Sequence, residues 1–115
     1  MGGFMSFSGK VTIVTGGALG IGGGIARKFS EKGSKIVIAD IDEDSAIKNS
    51  KKIADMGGEC EVIKTDVSKS SDIENMVDYT LNKFGRVDNL IQNAFSTADN
   101  SSFGGSALEV DEKDW

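Results

Sequence analysis

The stretch Thr15-Gly16-Gly17-Ala18-Leu19-Gly20-Ile21-Gly22 decides the fold of this chain. It directly follows a short apolar run, Val11-Thr12-Ile13-Val14, and leads into a segment with helical periodicity. A strand that breaks into glycines and then into a helix predicts a tight turn whose backbone N–H groups can face a pyrophosphate. We therefore expect an anion-binding loop at these residues.

Four short apolar runs predict strands at residues 10–15, 36–39, 61–65 and 89–92. The segments between these strands are each long enough for one helix. The order is then β-α-β-α-β-α-β, and right-handed crossovers require a parallel sheet with helices on both faces. We predict a Rossmann-type, doubly wound α/β fold with about four strands and three helices.

Each predicted helix has one apolar face that we expect to pack on the sheet. The inward residues are Ile21, Ile25, Ala26 and Phe29 in the first helix, Ala46, Ser50, Ile53 and Ala54 in the second, and Ile73, Met76, Val77, Leu81 and Phe84 in the third. Asp42 is the expected cap of the second helix. Ser71 and Glu74 have the spacing of a capping box for the third.

The composition of the 115-residue chain argues against several classes of protein. A net charge of -5 without a basic cluster argues against nucleic-acid binding. No apolar run approaches the length of a membrane span, and residues 1–8 lack the features of a signal peptide. With no histidine and a single cysteine, a Ser-His-Asp triad or a usual zinc site cannot be built. We expect no metal, no membrane contact and a cytoplasmic location.

Asp40 ends the second predicted strand, twenty positions after Gly20. A carboxylate at this position can accept hydrogen bonds from both hydroxyls of an adenosine ribose, and its charge would repel a 2′-phosphate. This pattern favours NAD over NADP as the ligand. A tight turn with a capping aspartate and no ligand is the alternative interpretation of the same residues.

The chain resembles the amino-terminal half of the short-chain dehydrogenase/reductase family. The resemblance is carried by Thr15-Gly16-x3-Gly20-Ile21-Gly22, Asp40 after Val37-Ile38-Ala39, Asp66-Val67, Gln92-Asn93-Ala94 and Asp114-Trp115. It implies pyrophosphate binding by the glycine motif, ribose binding by Asp40, adenine contacts at Asp66 and Val67, and a cofactor-lining and sheet-bracing role for Asn93. The implied cofactor-binding residues are Gly16, Ala18, Leu19, Gly20, Ile21, Gly22, Asp40, Asp66, Val67, Asn93 and Ala94.

The resemblance also implies an activity. In the family, a hydride passes between NAD and a secondary alcohol or ketone, the substrate is a small molecule, and the full-length enzymes form homo-oligomers. The family's catalytic asparagine, serine and Tyr-x-x-x-Lys lie beyond the position of Trp115. We therefore expect residues 1–115 to be the NAD-binding segment of a truncated chain, with an incomplete fold and no catalytic residue.

A non-catalytic NAD-binding or regulatory module is the second hypothesis. A reading frame that continues past the codon for Trp115 and encodes Tyr-x-x-x-Lys would favour the dehydrogenase. An immediate stop codon would favour the module. Phe95, which stands where the family usually has glycine, is expected to alter the backbone near the nicotinamide.

Two features look reactive but are interpreted as structural. Tyr79 and Lys83 have Tyr-x-x-x-Lys spacing, yet they lie in the third predicted helix, away from the carboxyl strand ends where ligands bind. We expect them to form an ordinary helix surface. Cys60 lies between Glu59 and Glu61, whose charges should raise the pKa of its thiol, so we expect a buried cysteine at the start of a strand.

Overall fold

The computed structural model describes residues 7–94, which contain four strands and three helices. The strands are β1 (Val11–Thr15), β2 (Lys35–Asp40), β3 (Cys60–Lys64) and β4 (Asn89–Gln92). The helices are α1 (Gly20–Glu31), α2 (Glu43–Asp55) and α3 (Ser70–Phe84). The predicted order of elements is confirmed, and each strand boundary lies within one residue of its predicted position.

The described strands form one parallel sheet in the order β3-β2-β1-β4. β1 lies between β2 and β4, with Ile13 opposite both Val37 and Leu90. Successive side chains of β1 point to opposite faces of the sheet. All five residues of this strand are buried, which requires cover on both faces.

The two faces of the sheet have separate apolar cores. On one face, Val14 of β1 packs with Ala26 of α1 and Ile53 of α2. On the other face, Ile13 packs with Met76 of α3. The helices therefore cover both faces, and the predicted doubly wound α/β class is confirmed.

Some predicted inward residues are wrong. The exposed residues among them are Ile21, Ala54, Ile73 and Leu81. Ile21 and Ile73 lie in the first turns of their helices, at the edge of the contact with the sheet. Leu81 points about 100° away from its neighbour Thr80, which is buried and donates from Oγ1 to the Met76 carbonyl oxygen at 2.8 Å. The buried face of α3 thus includes a polar residue, Thr80, whose hydroxyl is hydrogen-bonded within its own helix.

The predicted capping box of α3 is also wrong. The helix begins at Ser70, and its N-cap residue is Lys69, whose side chain makes no capping hydrogen bond. Asp72, in the first turn, accepts a hydrogen bond at 2.8 Å from the backbone N–H of Asp66. In α2 the prediction is confirmed, because Asp42 accepts a hydrogen bond from the Ser45 backbone N–H at 3.1 Å.

Candidate functional site

The residues predicted to bind a ligand lie at one edge of the sheet. Gly16 follows β1, Asp40 ends β2, Asp66 lies two residues after β3, and Asn93 follows β4. Since all four strands are parallel, these positions share the carboxyl edge of the sheet. Crevices at this edge are the usual ligand sites of open α/β sheets.

The turn between β1 and α1 requires glycine at two positions in particular. Gly20 has a φ of +60°, in the left-handed region that side chains disfavour, and a Cβ built on it would meet no atom within 4 Å. Gly22 is buried instead. A Cβ on Gly22 would clash with the carbonyl oxygen of Gly16 and lie 2.5 Å from Nδ2 of Asn93. The first glycine thus leaves open space, and the second permits α1 to approach the loop closely.

The amino end of α1 has the properties of an anion site. Its N-cap residue, Leu19, makes no side-chain hydrogen bond to the helix, and the first turn contains no acidic residue. Leu19 is 65% exposed and Ile21 is 78% exposed. The unpaired N–H groups of a first helical turn and the helix dipole both favour a negative group at such an end.

Three side chains from separate parts of the chain hold consecutive residues of the loop. Asn93 donates from Nδ2 to the Gly16 carbonyl oxygen at 3.2 Å, and Asn49 of α2 donates from Nδ2 to the Gly17 carbonyl oxygen at 2.8 Å. The Ala18 N–H donates to Oδ2 of Asp40 at 3.0 Å. The loop is therefore fixed before any ligand arrives.

Asp40 is half-buried, and each of its carboxylate oxygens has one backbone donor. Oδ2 accepts from Ala18, and Oδ1 accepts from the Asp42 N–H at 2.9 Å. An ionised carboxylate has about four acceptor sites, so the same oxygens can accept further hydrogen bonds. The structure places a negative charge beside the loop with acceptor capacity to spare.

Thr15 supports the segment after β4, a role that the sequence analysis missed. Its buried hydroxyl oxygen accepts hydrogen bonds from the N–H groups of Asn93 at 3.0 Å and Ala94 at 3.2 Å. It also lies 3.4 Å from the Ile91 carbonyl oxygen, to which it can donate. The ends of β1 and β4 are thereby joined at the site.

Asp66 lies one strand further along the carboxyl edge, since its neighbour Thr65 donates its N–H to the Asp40 carbonyl oxygen at 3.0 Å. The hydroxyl and N–H of Ser68, at 2.6 and 2.9 Å from Asp66 Oδ1, hold the pKa of this carboxyl below its usual value. A groove of about 440 Å³ beside it is lined by Ile41, Lys64, Asp66, Lys69 and Asp72. Val67 follows, half-buried.

Tyr79 and Lys83 lie outside this edge, as predicted, although Tyr79 is half-buried against the sheet and not simply on the helix surface. The Tyr79 hydroxyl donates to Oε1 of Glu61 at 3.0 Å. Burial first, and then this hydrogen bond, raise the pKa of Tyr79 to about 12. This shift is opposite to the one that a tyrosine acting as a base requires.

Cys60 has the predicted direction of pKa shift, with a different main cause. Burial raises the pKa of its thiol to about 12, and the charge of Glu61 adds to the effect. Such a thiol is a poor nucleophile.

Within residues 7–94, no group of three or more acidic, histidine or cysteine side chains is arranged to hold a metal ion. In the same part of the chain, no helix has both the length and the apolar character needed to cross a bilayer. Phe95 and the pair Asp114-Trp115, which the sequence analysis singled out, lie outside the described residues.

Comparisons with known proteins agree with this geometry. The chain is 48% identical over 86 residues to tropinone reductase-like 1 of Erythroxylum coca, an alignment that covers 75% of this chain and 30% of the relative. A short chain dehydrogenase/reductase from Burkholderia phymatum, solved in complex with NAD, is 34% identical with a TM-score of 0.71, covering 74% of this chain and 30% of that one. A metagenomic short-chain oxidoreductase in complex with NADP is 36% identical with a TM-score of 0.69, covering 72% and 38%.

The chain spans about a third of the length of the curated relatives that it matches. The family described as short chain dehydrogenase matches residues 10–115. The matched region includes every strand and helix of the described structure. The chain therefore belongs to the short-chain dehydrogenase family of oxidoreductases.

Proposed function

We propose that the carboxyl edge of this sheet binds NAD(H), as the cofactor-binding segment of an oxidoreductase that transfers a hydride between NAD and a secondary alcohol or ketone. The single observation that carries the proposal is the uncapped amino end of α1, beside a glycine loop that three side chains hold in place. Similar structures that contain NAD or NADP support a nicotinamide cofactor.

The pyrophosphate would lie in the open space at Gly20. It would contact Gly16, Ala18, Leu19, Gly20, Ile21 and Gly22. The N–H groups of Leu19 to Gly22 would donate to it, since those of Gly16 and Ala18 donate to the Ala39 carbonyl oxygen and to Asp40 Oδ2. A side chain at Gly22 would displace Gly16 or Asn93, which explains why this position is glycine despite its cost to helix stability.

Asp40 would bind the adenosine ribose and select NAD. Its two oxygens are fixed by backbone donors and can still accept from the ribose hydroxyls. A 2′-phosphate would lie next to the same carboxylate, and the two negative charges would repel each other. Because similar structures hold either cofactor, the preference for NAD rests on this residue.

The remaining contacts follow the same edge. Asp66 and Val67 would lie against the adenine ring, and Asn93 and Ala94 would line the nicotinamide half. When bound, the cofactor supplies the hydride acceptor or donor. The described residues would bind and orient it. The pKa of about 12 at both Tyr79 and Cys60 does not suit either of them to proton transfer near neutral pH. The proposal extends to a small-molecule substrate and to a homo-oligomeric, cytoplasmic enzyme, as the sequence leads us to expect.

Titration of the 115-residue chain with NADH and NADPH, followed by nicotinamide fluorescence, tests the proposal. We expect NADH to bind at least about tenfold more tightly, which corresponds to about 1.4 kcal/mol. In Asp40→Asn, which keeps the size of the side chain and removes its charge, this preference should largely disappear. Asp42→Asn is the matched control, since it removes a neighbouring charge from a helix cap that asparagine fills equally well. Tighter binding of NADPH by the unmodified chain would refute the choice of NAD, and binding of neither would refute the site.

A further inference from the structure

We propose that Asn49 is a positioning residue of the cofactor site, which holds the glycine loop in the conformation that binds the pyrophosphate. The inference rests on the proposed function, because it assigns the loop to that group. Asn49 lies in α2 and is buried, so it would not itself contact the cofactor.

Asn49 bridges the two sides of the turn at Gly20. Its side chain is almost fully buried, with 2% of the residue exposed. Nδ2 donates to the carbonyl oxygen of Gly17 at 2.8 Å and to that of Gly23 at 3.3 Å. One carbonyl belongs to the loop and the other to the first turns of α1, so a single amide group ties the loop to the helix that follows it.

Arg27 fixes the orientation of this amide. Its Nη1 donates to Oδ1 of Asn49 at 2.8 Å. A guanidinium can only donate, so the amide oxygen must face Arg27 and the amide nitrogen must face the two carbonyl groups. All three polar contacts of the Asn49 side chain are satisfied only in this orientation.

The loop, α1 and the Asn49 amide pack closely together at Gly23. A Cβ on Gly23 would lie 3.2 Å from the Ala18 carbonyl oxygen and 3.4 Å from Asn49 Nδ2. The Gly23 N–H also donates to the Leu19 carbonyl oxygen at 3.0 Å. Without the Asn49 donor, the segment before Gly20 would keep its hydrogen bonds to Asn93 and Asp40 but lose the one that ties it to α2.

Asn49→Asp separates this role from simple packing. The variant keeps the size of the side chain and its contact with Arg27, but it replaces the donor at Gly17 and Gly23 by an oxygen that the two carbonyl groups repel. Ser50→Ala is the matched control, because the Ser50 hydroxyl donates to the Ile47 carbonyl oxygen within α2 at 2.7 Å and does not contact the loop.

The test compares two probes, ADP-ribose and adenosine, by NMR titration of the full 115-residue chain. We expect Asn49→Asp to weaken ADP-ribose binding at least about tenfold, and adenosine binding, which has no pyrophosphate contact, less than about twofold. Ser50→Ala should change neither. Unchanged ADP-ribose binding, or an equal loss for both probes, would overturn the positioning role.

If Asn49→Asp does not fold, Arg27→Met decides the question, since it keeps most of the aliphatic stem and frees only the orientation of the amide. It should weaken ADP-ribose binding several-fold with adenosine binding unchanged, and equal effects on both probes would count against the inference. Failure of the unmodified chain to bind ADP-ribose would instead refute the proposed function itself, and the inference with it.

Discussion

At the scale of single residues, the glycines of α1 are not equivalent. Gly22 has no room for a Cβ, which would clash with the Gly16 carbonyl oxygen and the Asn93 amide. Gly24, two residues later in the same helix, has only the flexible end of Arg27 at 3.9 Å. Substituting alanine at each position therefore separates the requirement for close approach from the intrinsic cost of glycine in a helix.

We expect Gly22→Ala to lower the free energy of unfolding by about 1–3 kcal/mol, the usual cost of overpacking. Gly24→Ala should raise it by about 0.5–1 kcal/mol, because alanine loses less backbone entropy in a helix interior. Urea denaturation of both variants checks the pair. Equal effects of the two substitutions would mean that α1 does not approach the loop as described.

Cys60 provides a second test at this scale. With a pKa of about 12 and a partly buried sulfur, it should be alkylated by iodoacetamide at pH 8 much more slowly than an unstructured cysteine. Mass spectrometry gives the rate, and denaturant should restore ordinary reactivity. Fast alkylation of the folded chain would show that the thiol is neither buried nor raised in pKa.

At the scale of elements, the helices differ in how their amino ends are capped. Asp42 caps α2 through the Ser45 N–H, whereas the side chain of Lys69 leaves α3 without a cap. Lys69 has the extended backbone, with φ of -111° and ψ of 120°, that a capping residue adopts. The position is therefore suited to serine.

Lys69→Ser should stabilise the chain by about 0.5–2 kcal/mol, since its hydroxyl can accept a hydrogen bond from the first turn of α3. Ser71→Ala is the control. Ser71 is exposed and lies inside the helix, so its loss should change the free energy of unfolding by less than about 0.5 kcal/mol. A large loss of stability in Ser71→Ala would instead support the capping box of Ser71 and Glu74, which the structure does not contain.

Local signals explain why the elements were predictable from the sequence. The glycine turn and the apolar runs depend on neighbours in the chain, and Asp40 is found from the end of its strand and its spacing from Gly20. The hydrogen bonds of Asn49 do not, since its carbonyl partners Gly17 and Gly23 lie 32 and 26 residues away. An asparagine among lysines in α2 carries no periodic signal, and only the packing of α1 against α2 reveals its role.

At the scale of the whole molecule, the candidate site lies at the carboxyl edge of the parallel sheet. Two groups with raised pKa values, the Cys60 thiol and the Tyr79 hydroxyl, lie away from that edge. Cys60 and Tyr79 both have folded-state pKa values of about 12, above reference values of 9.0 and 10.0. An acid whose pKa rises on folding stabilises the fold below its unfolded pKa, and that contribution is lost as pH rises toward the folded value.

The chain should therefore lose stability between about pH 9 and pH 12. Urea midpoints measured across this range check the prediction. Cys60→Ala and Tyr79→Phe should each flatten the pH dependence, because each removes one titrating group; the comparison uses the slope, since either change also removes contacts. A stability that does not change over this range, or that increases, would contradict the assigned shifts.

The measurement that tests the dinucleotide site most directly is a ¹H–¹⁵N NMR titration of the 115-residue chain with NADH. If the carboxyl edge binds the cofactor, the largest shifts will occur at the amides of residues 16–22, 40, 66–67 and 93–94. Amides at the opposite edge, beside Ser34 and Asp88, should remain unchanged. An absence of shifts, or shifts concentrated at that opposite edge, would contradict the assignment.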